Sequence, residues 1–259
     1  VFSNLFNNIH FKKINLVYLY YYFIKRLLYQ NLEAKLNLNF LKPLPDYLIK
    51  RYYGWKATTF VNSKSWYHKL AKDGQHPRAM IISCCDSRVH VTSIFGSDAG
   101  EFFIHRNIAN LIPPFKKDED YHGTSAAIEY AVKSLKIPHI IILGHSTCGG
   151  VKASYDYFSG RDQELKENSN FVASWLEILR PSFNDLKEDI KEEEKIKALE
   201  KGAILTSVKN LTTFPFVKEA LDNGSLSIHG LWHNIGTGEL MSYDLSLIHI
   251  SEPTRPLYI

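Results

Sequence analysis

Short apolar runs rich in β-branched residues predict the strands of a sheet. They occupy residues 79–83, 102–105, 139–144 and 225–231, and turn-forming residues bound them. Between the second and third runs, residues 124–135 have the spacing of an amphipathic helix. A crossover helix between two strands favours parallel pairing. The pattern therefore predicts an α/β fold in which a mostly parallel central β-sheet is flanked by helices.

Further helices are predicted on either side of these strands. Their ranges are 46–53, 57–70, 164–201 and 203–221. Prolines are expected to interrupt the last two helices, at Pro181 and around Pro215. The charged stretch from Lys187 to Lys201 is interpreted as a solvated helix face. The residues expected to pack in the first two helices are Trp55, Phe60, Trp66 and Leu70.

Residues that bind metals stand directly after the first and third predicted strands. Cys84 follows the first strand, and His145 and Cys148 follow the third. In open parallel α/β sheets, ligands bind beyond the carboxyl ends of strands, so these side chains are expected to meet. Two thiolates and one imidazole leave a fourth coordination position open, as in a catalytic zinc site. The alternative is that the cysteines are small buried hydrophobic residues, but the occurrence of both motifs after apolar runs favours the metal site.

The composition is that of a globular protein from a reducing compartment. The chain has three cysteines in 259 residues, and Cys84 and Cys85 are adjacent. An odd and small number of cysteines is evidence against disulfides, and we expect a cytoplasmic protein. The net charge of +4 is modest and the lysines are scattered, so no role in nucleic-acid binding is predicted.

The residues around the predicted site resemble a known family. The motifs Cys84-x-Asp86-Ser87-Arg88 and His145-x-x-Cys148-Gly149-Gly150 are similar to those of the β-class carbonic anhydrases. Supporting segments lie at residues 74–77, 100–110 and 123–132, and the resemblance extends from about residue 42 to about residue 243. It implies a β-carbonic-anhydrase-like fold and the reversible hydration of carbon dioxide to bicarbonate and a proton. A zinc-bound hydroxide would be the nucleophile, with one zinc ion per chain.

The resemblance also implies roles for individual residues. Cys84, His145 and Cys148 correspond to the zinc ligands. Asp86 and Arg88 correspond to a catalytic dyad, in which the guanidinium holds the carboxylate and the carboxylate accepts a hydrogen bond from the hydroxide. The alternative for this pair is a surface ion pair of little energetic value. If Arg88 released Asp86, the carboxylate would itself bind zinc, as in some members of the family.

A substrate pocket is implied in the same way. The corresponding residues are Gln75, Phe103, Ile108, Tyr130 and Gly149. Taken alone, the three apolar ones would be interpreted as ordinary core residues. In the family the second subunit contributes part of the pocket, so we expect a homodimer or homotetramer with active sites near the subunit interface.

Two positions depart from the pattern of the family. Ile81 stands where bicarbonate-regulated members carry tryptophan, so this regulation is not expected although Arg106 and Tyr130 match the regulatory site. Cys85 stands where many relatives have serine, and we do not assign it to the metal. Three alternatives to carbonic anhydrase activity are hydrolysis of carbon disulfide or carbonyl sulfide, a non-catalytic zinc module, and a thiol redox protein. No Cys-x-x-Cys motif supports the last.

The two ends of the chain fall outside the resemblance. Residues 1–40 form an atypical N-terminal extension, interpreted as a helical arm or a leader not native to the enzyme. Their apolar run, residues 14–24, is too short for a bilayer, which needs about twenty residues, and no small-residue cleavage site follows it. Residues 41–244 are predicted to form the catalytic domain, which ends in a hairpin and an edge strand. Residues 245–259 are interpreted as an atypical tail of appended sequence.

Overall fold

The chain divides into two compact units between Trp66 and Tyr67. The computed structural model describes residues 41–117 and 122–243, so the predictions for residues 1–40 and 245–259 lie outside the described residues. In the first unit, helix α1 (Asp46–Trp55) continues into a π-helical turn (Lys56–Phe60). The hydroxyl of Thr58 donates to the carbonyl of Gly54 at 2.8 Å, and such bonds bend helices. The second predicted helix, residues 57–70, therefore begins later than expected, as α2 (Lys64–Asp73), because the π-helical turn continues α1 as far as Phe60.

A five-stranded sheet forms the centre of the second unit, in the order β2-β1-β3-β4-β5. The first four strands are parallel and β5 is an antiparallel edge strand. This confirms the predicted mostly parallel sheet. The bounds are β1 (Ala79–Cys84), β2 (Phe102–Asn107), β3 (His139–His145), β4 (Ser227–His233) and β5 (Leu240–Tyr243).

Strand β4 begins two residues later than its sequence predicts. The backbone amide of Ser225 donates to the side chain of Asn223 at 2.9 Å, and that of Leu226 donates to the carbonyl of Ala220 at 3.0 Å. These bonds keep both residues in the turn after the preceding helix, because an asparagine side chain competes for backbone donors. The strand begins only when those donors have been used.

Helices cover the sheet. Their bounds are α3 (Val91–Ile94), α4 (Gly123–Glu129), α5 (Gly149–Phe158), α6 (Leu165–Asn168), α7 (Asn170–Leu176), α8 (Arg180–Asn184), α9 (Glu192–Leu211) and α10 (Pro215–Asp222). A π-helical turn (Tyr130–Ser134) extends α4. Pro181 lies in the first turn of α8, and Pro215 begins α10, where proline is tolerated. No helix among these described residues is long and apolar enough to cross a membrane.

The predicted boundary between residues 201 and 203 is wrong, because α9 runs through Gly202 without a break. A Cβ atom on Gly202 would lie 3.0 Å from the Cβ of Ser182. The hydroxyl of Ser182 donates to the Gly202 carbonyl at 3.3 Å. The glycine therefore permits close packing of a neighbouring segment on α9 and does not end the helix.

The alternation of side chains along the strands places hydrophobic residues on both faces of the sheet. On one face, Ile82, Ile140 and Ile142 pack with α9 through Ile204. On the other face, Ile81 and Leu143 join a smaller cluster, which also contains Val89, Val91 and Leu231. Both faces of β1 and β3 are thus buried, which explains their continuous apolar sequences.

Candidate metal centre

Three side chains converge where β1 and β3 end. Cys84 is the last residue of β1, His145 is the last of β3, and Cys148 immediately precedes α5. Their ligand atoms lie within 4.8 Å of one another, and all three residues are buried. Parallel pairing of Ser83 with Leu143 brings the two strand ends side by side. The predicted meeting of these residues beyond the carboxyl ends of two strands is therefore observed.

This arrangement fits a zinc ion. The two sulfur atoms are 3.9 Å apart, whereas tetrahedral zinc with bonds of about 2.3 Å requires about 3.8 Å between them. The Nδ1–H of His145 donates to the carbonyl of Ser146 at 2.9 Å, so Nε2 carries the free lone pair. That Nε2 is buried and has no hydrogen-bond partner among the described residues, as expected of an atom that binds a metal.

The two thiols interact electrostatically. A hydrogen bond from Cys148 lowers the pKa of Cys84, and the same bond raises the pKa of Cys148. Zinc binds cysteine as the thiolate, so binding of the ion releases protons. Cys85, the remaining cysteine, is exposed and lies outside this cluster.

Asp86 and Arg88 form a two-pronged ion pair beside the cysteines. The guanidinium donates from Nε to Oδ1 at 2.9 Å and from Nη2 to Oδ2 at 2.7 Å, and the amide of Arg88 donates to Oδ1 at 2.9 Å. These bonds from Arg88 hold the pKa of Asp86 well below its usual range. The side chains of Asp86 and Arg88 are 15% and 50% exposed, so the three bonds to Asp86, rather than burial, distinguish the pair from a mobile surface ion pair.

The five predicted pocket residues occupy different environments. The rings of Phe103 and Tyr130 are 5.9 Å apart, and Phe103 packs against the main core cluster. Tyr130 is 47% exposed and Ile108 is 40% exposed. Gly149 begins α5, where a Cβ atom would meet nothing within 4 Å. Gln75 is exposed in the loop between α2 and β1.

Comparison with known proteins identifies the family. Residues 79–240 match the family model described as carbonic anhydrase, which is more than half of the chain. The chain belongs to the carbonic anhydrase family. It is 33% identical over 195 residues to beta carbonic anhydrase 3 of Arabidopsis thaliana, covering 73% of this chain and 74% of that relative.

Solved structures of β-carbonic anhydrases have the same fold. The structure of the β-carbonic anhydrase CcaA is 35% identical, covers 79% of this chain and 97% of its own, and has a TM-score of 0.72. A tetrameric β-carbonic anhydrase from Sordaria macrospora is 29% identical, covers 76% of this chain and 95% of its own, and has a TM-score of 0.64. The predicted family, fold class and zinc-dependent carbonic anhydrase activity are thereby confirmed.

Thr147 adjoins the candidate metal centre but was not predicted from the sequence. It lies between His145 and Cys148 and has a φ of 54°, a left-handed conformation that is uncommon outside glycine. Arg88 donates from Nη2 to its carbonyl at 3.0 Å and from Nη1 to its hydroxyl at 3.3 Å. The same arginine thus holds Asp86 and the loop that carries Cys148.

The interpretation of the charged stretch from Lys187 to Lys201 as a solvated helix face is wrong at Glu200. This residue lies on α9, is only 4% exposed, and its Oε1 accepts a hydrogen bond from the backbone amide of Cys148 at 3.3 Å. Burial raises the pKa of Glu200, although the amides of Cys148 and Thr147 oppose this shift. The sequence alone does not distinguish Glu200 from its charged neighbours. Only the packing of α9 against the loop that carries Cys148 does so.

The side chain of Arg106 donates hydrogen bonds to backbone carbonyls of its own chain. Its Nε donates to the carbonyl of Cys84 at 2.9 Å, and its Nη2 donates to the carbonyls of Asp86 and Val89 at 2.7 and 2.9 Å. These bonds position the segment between the first ligand and Val89. Ile81 is fully buried in β1.

Proposed function

We propose that this chain catalyses the reversible hydration of carbon dioxide to bicarbonate and a proton, with zinc held by Cys84, His145 and Cys148. The observation that carries the proposal is the convergence of two thiols and an unpartnered imidazole nitrogen beside a firmly held carboxylate. Three protein ligands leave a coordination position for reaction. Zinc in such a position makes hydroxide available from water near neutral pH.

Asp86 is proposed to orient the nucleophile. Because Arg88 lowers its pKa, the carboxylate remains ionised and serves only as a hydrogen-bond acceptor. It would therefore accept a hydrogen bond from the hydroxyl group of the nucleophile and direct an oxygen lone pair towards the carbon atom of carbon dioxide. Arg88 fixes both carboxylate oxygens, so little reorganisation is needed during reaction.

The substrate is proposed to bind between an apolar surface and a few donors. Phe103, Ile108 and Tyr130 provide the apolar surface, which suits a small molecule without a net dipole. The backbone amide of Gly149 and the side chain of Gln75 would donate to substrate oxygens. Gly149 and Gln75 are both exposed, which supports their assignment as donors to the substrate.

A homodimer or homotetramer is proposed, with active sites near the subunit interface. The exposure of Ile108 and Tyr130 supports this assembly, because a dry carbon dioxide pocket needs these side chains covered. The relative from Sordaria macrospora is described as tetrameric. Sedimentation at assay concentration should show a dimer or tetramer, and a fully active monomer would contradict the proposal.

A cytoplasmic location is also proposed. All three cysteines are free, and two of them are needed as thiolates at the metal. A reducing compartment keeps thiols in this form. Fractionation of the native source, followed by detection of the protein, would test the location.

Stopped-flow assays of carbon dioxide hydration, combined with zinc analysis, test the function. We expect one zinc per chain, loss of hydration on chelation, and recovery when Zn²⁺ is restored. Carbonyl sulfide and carbon disulfide should be assayed in parallel. A protein that holds stoichiometric zinc and consumes either of these, but does not hydrate carbon dioxide, would show that the proposed substrate is wrong.

A further inference from the structure

We propose that His139 and His229 form a second, exchangeable site for a divalent transition-metal ion. The two residues lie at the amino ends of β3 and β4, and both are exposed. His145 lies at the opposite end of β3, about 20 Å away at the usual rise of a strand. The proposed site is therefore separate from the catalytic centre.

The ring nitrogens already have the separation that a shared metal ion requires. Nδ1 of His139 and Nε2 of His229 share a hydrogen bond of 3.2 Å, and the ring centroids are 5.2 Å apart with an interplanar angle of 55°. Two imidazoles on a tetrahedral ion with bonds of 2.0–2.1 Å have their nitrogens about 3.3 Å apart. A metal ion would replace the proton that lies between the two nitrogens, and the donor ring would take its other tautomer, with the proton on its second nitrogen. Small rotations about χ2, which is a broad torsion in histidine, would then direct both lone pairs at one ion.

The backbone makes this pair rigid. β3 and β4 are adjacent and parallel, and Ile141 is the register partner of His229. The two histidines are therefore diagonal neighbours on paired strands. Bringing them together on a metal costs little conformational entropy, because the sheet has already fixed their backbones.

Protonation and access also favour a metal. Burial lowers the pKa of His229, and the proximity of His139 lowers it further, which favours the neutral, metal-binding form of the His229 ring. The pair faces an open cavity of about 1250 Å³, which His76 and Glu101 also line. An ion could enter from solvent and fill its remaining positions with water.

The ligand set determines the class of ion. Imidazole suits Zn²⁺, Ni²⁺ and Cu²⁺ and is a poor ligand for Mg²⁺ or Ca²⁺. Two neutral ligands should hold the ion less firmly than the two thiolates and imidazole of the catalytic centre. The two histidines lie side by side only in the folded protein. An ion that bridges β3 and β4 would therefore stabilise the folded state and raise the melting temperature.

The test uses the zinc-loaded full chain and Ni²⁺ alone as the probe. Binding is measured by isothermal titration calorimetry, and the zinc content is measured before and after. We expect one further equivalent of Ni²⁺ without loss of zinc. At a free Ni²⁺ concentration one hundred times the Kd, the melting temperature should rise by roughly 5–10 °C.

His139→Ala and His229→Ala should each abolish the calorimetric signal and the rise in melting temperature, while His68→Ala should leave both unchanged. His68 is an exposed histidine on α2 and serves as the matched control. Melting curves without added metal establish that the variants fold. Ni²⁺ binding of wild-type affinity in both variants, or uptake of Ni²⁺ only in exchange for zinc, would overturn the proposal. None of these measurements depends on carbon dioxide hydration.

Discussion

Replacing Glu200 by alanine should weaken zinc binding without unfolding the protein. Glu200 is 4% exposed, and its carboxylate accepts a hydrogen bond from the backbone amide of Cys148, a residue that is 1% exposed. Without the acceptor, that buried N–H has no partner unless the loop moves. The loop conformation that places Cys148 for metal binding would then compete with other conformations in which its amide is bonded to water.

The size of the effect follows from the lost hydrogen bond. An unsatisfied buried donor costs about 1–3 kcal/mol, and each 1.4 kcal/mol is about a tenfold change in affinity. Groups that support a metal ligand typically affect metal affinity by about 10–100-fold, which agrees with that range. We therefore expect zinc to bind about 10–100-fold more weakly to Glu200→Ala. Glu200→Gln, which retains an oxygen acceptor, should show a smaller loss.

Competition with a colorimetric zinc chelator measures this affinity, and thermal melting monitors the fold. Glu193→Ala is the matched control, because Glu193 lies on the same helix and, like Glu200, lines a cavity beside Cys148 and Gly149, but is exposed. If Glu200→Ala released zinc no more readily than wild type while remaining folded, the hydrogen bond to Cys148 would not stabilise the metal centre. The reasoning would also fail if Glu193→Ala showed the same loss.

Four further substitutions test the ligand assignment, the ion pair and the packing of β3. Cys148→Ser should remove zinc and hydration together while Cys85→Ser keeps both, and zinc analysis with activity assays would refute the ligand assignment if Cys148→Ser retained stoichiometric zinc. Asp86→Asn should retain zinc but lose most of its turnover, because the amide does not reproduce an ionised acceptor held by arginine; near-normal turnover would reduce this residue to a structural role. Gly144→Ala should destabilise the fold by about 1–3 kcal/mol, because its Cβ would lie 2.8 Å from Ile204 Cδ1; denaturant unfolding should show this, and unchanged stability would mean that Ile204 moves aside freely.

The features predicted correctly from the sequence are those fixed by local pattern and by sheet topology. The apolar runs of β1 and β3 are buried on both faces, so their hydrophobic sequences are continuous and easily recognised. The ligands follow these runs directly, and parallel pairing then brings Cys84 and His145 together. Neither step needed knowledge of how distant helices pack.

The features that sequence could not provide depend on contacts between distant segments. Gly202 resembles a helix terminator, and only its close contact with Ser182 shows that it serves packing within α9 instead. Glu200 stands among exposed charges, and its burial depends on where α9 meets the ligand loop. Thr147 carries no sequence signal for its left-handed conformation. In each case the conformation or burial of the residue depends on a contact that its neighbours in the sequence do not reveal.

The structure also distinguishes two kinds of support for the metal ligands. Cys84 and His145 lie at the ends of paired strands, where the sheet fixes their backbones. Cys148 lies on a loop whose conformation depends on bonds from Arg88 to Thr147 and from Cys148 to Glu200. Since Nη2 of Arg88 donates to both Asp86 and Thr147, the position of the hydrogen-bond acceptor Asp86 is linked to that of the third proposed ligand, Cys148. Loss of Arg88 would therefore disturb both metal binding and the orientation of the nucleophile. Asp86→Asn would disturb only the orientation of the nucleophile, because Arg88 would still bind Thr147 and hold the loop in place.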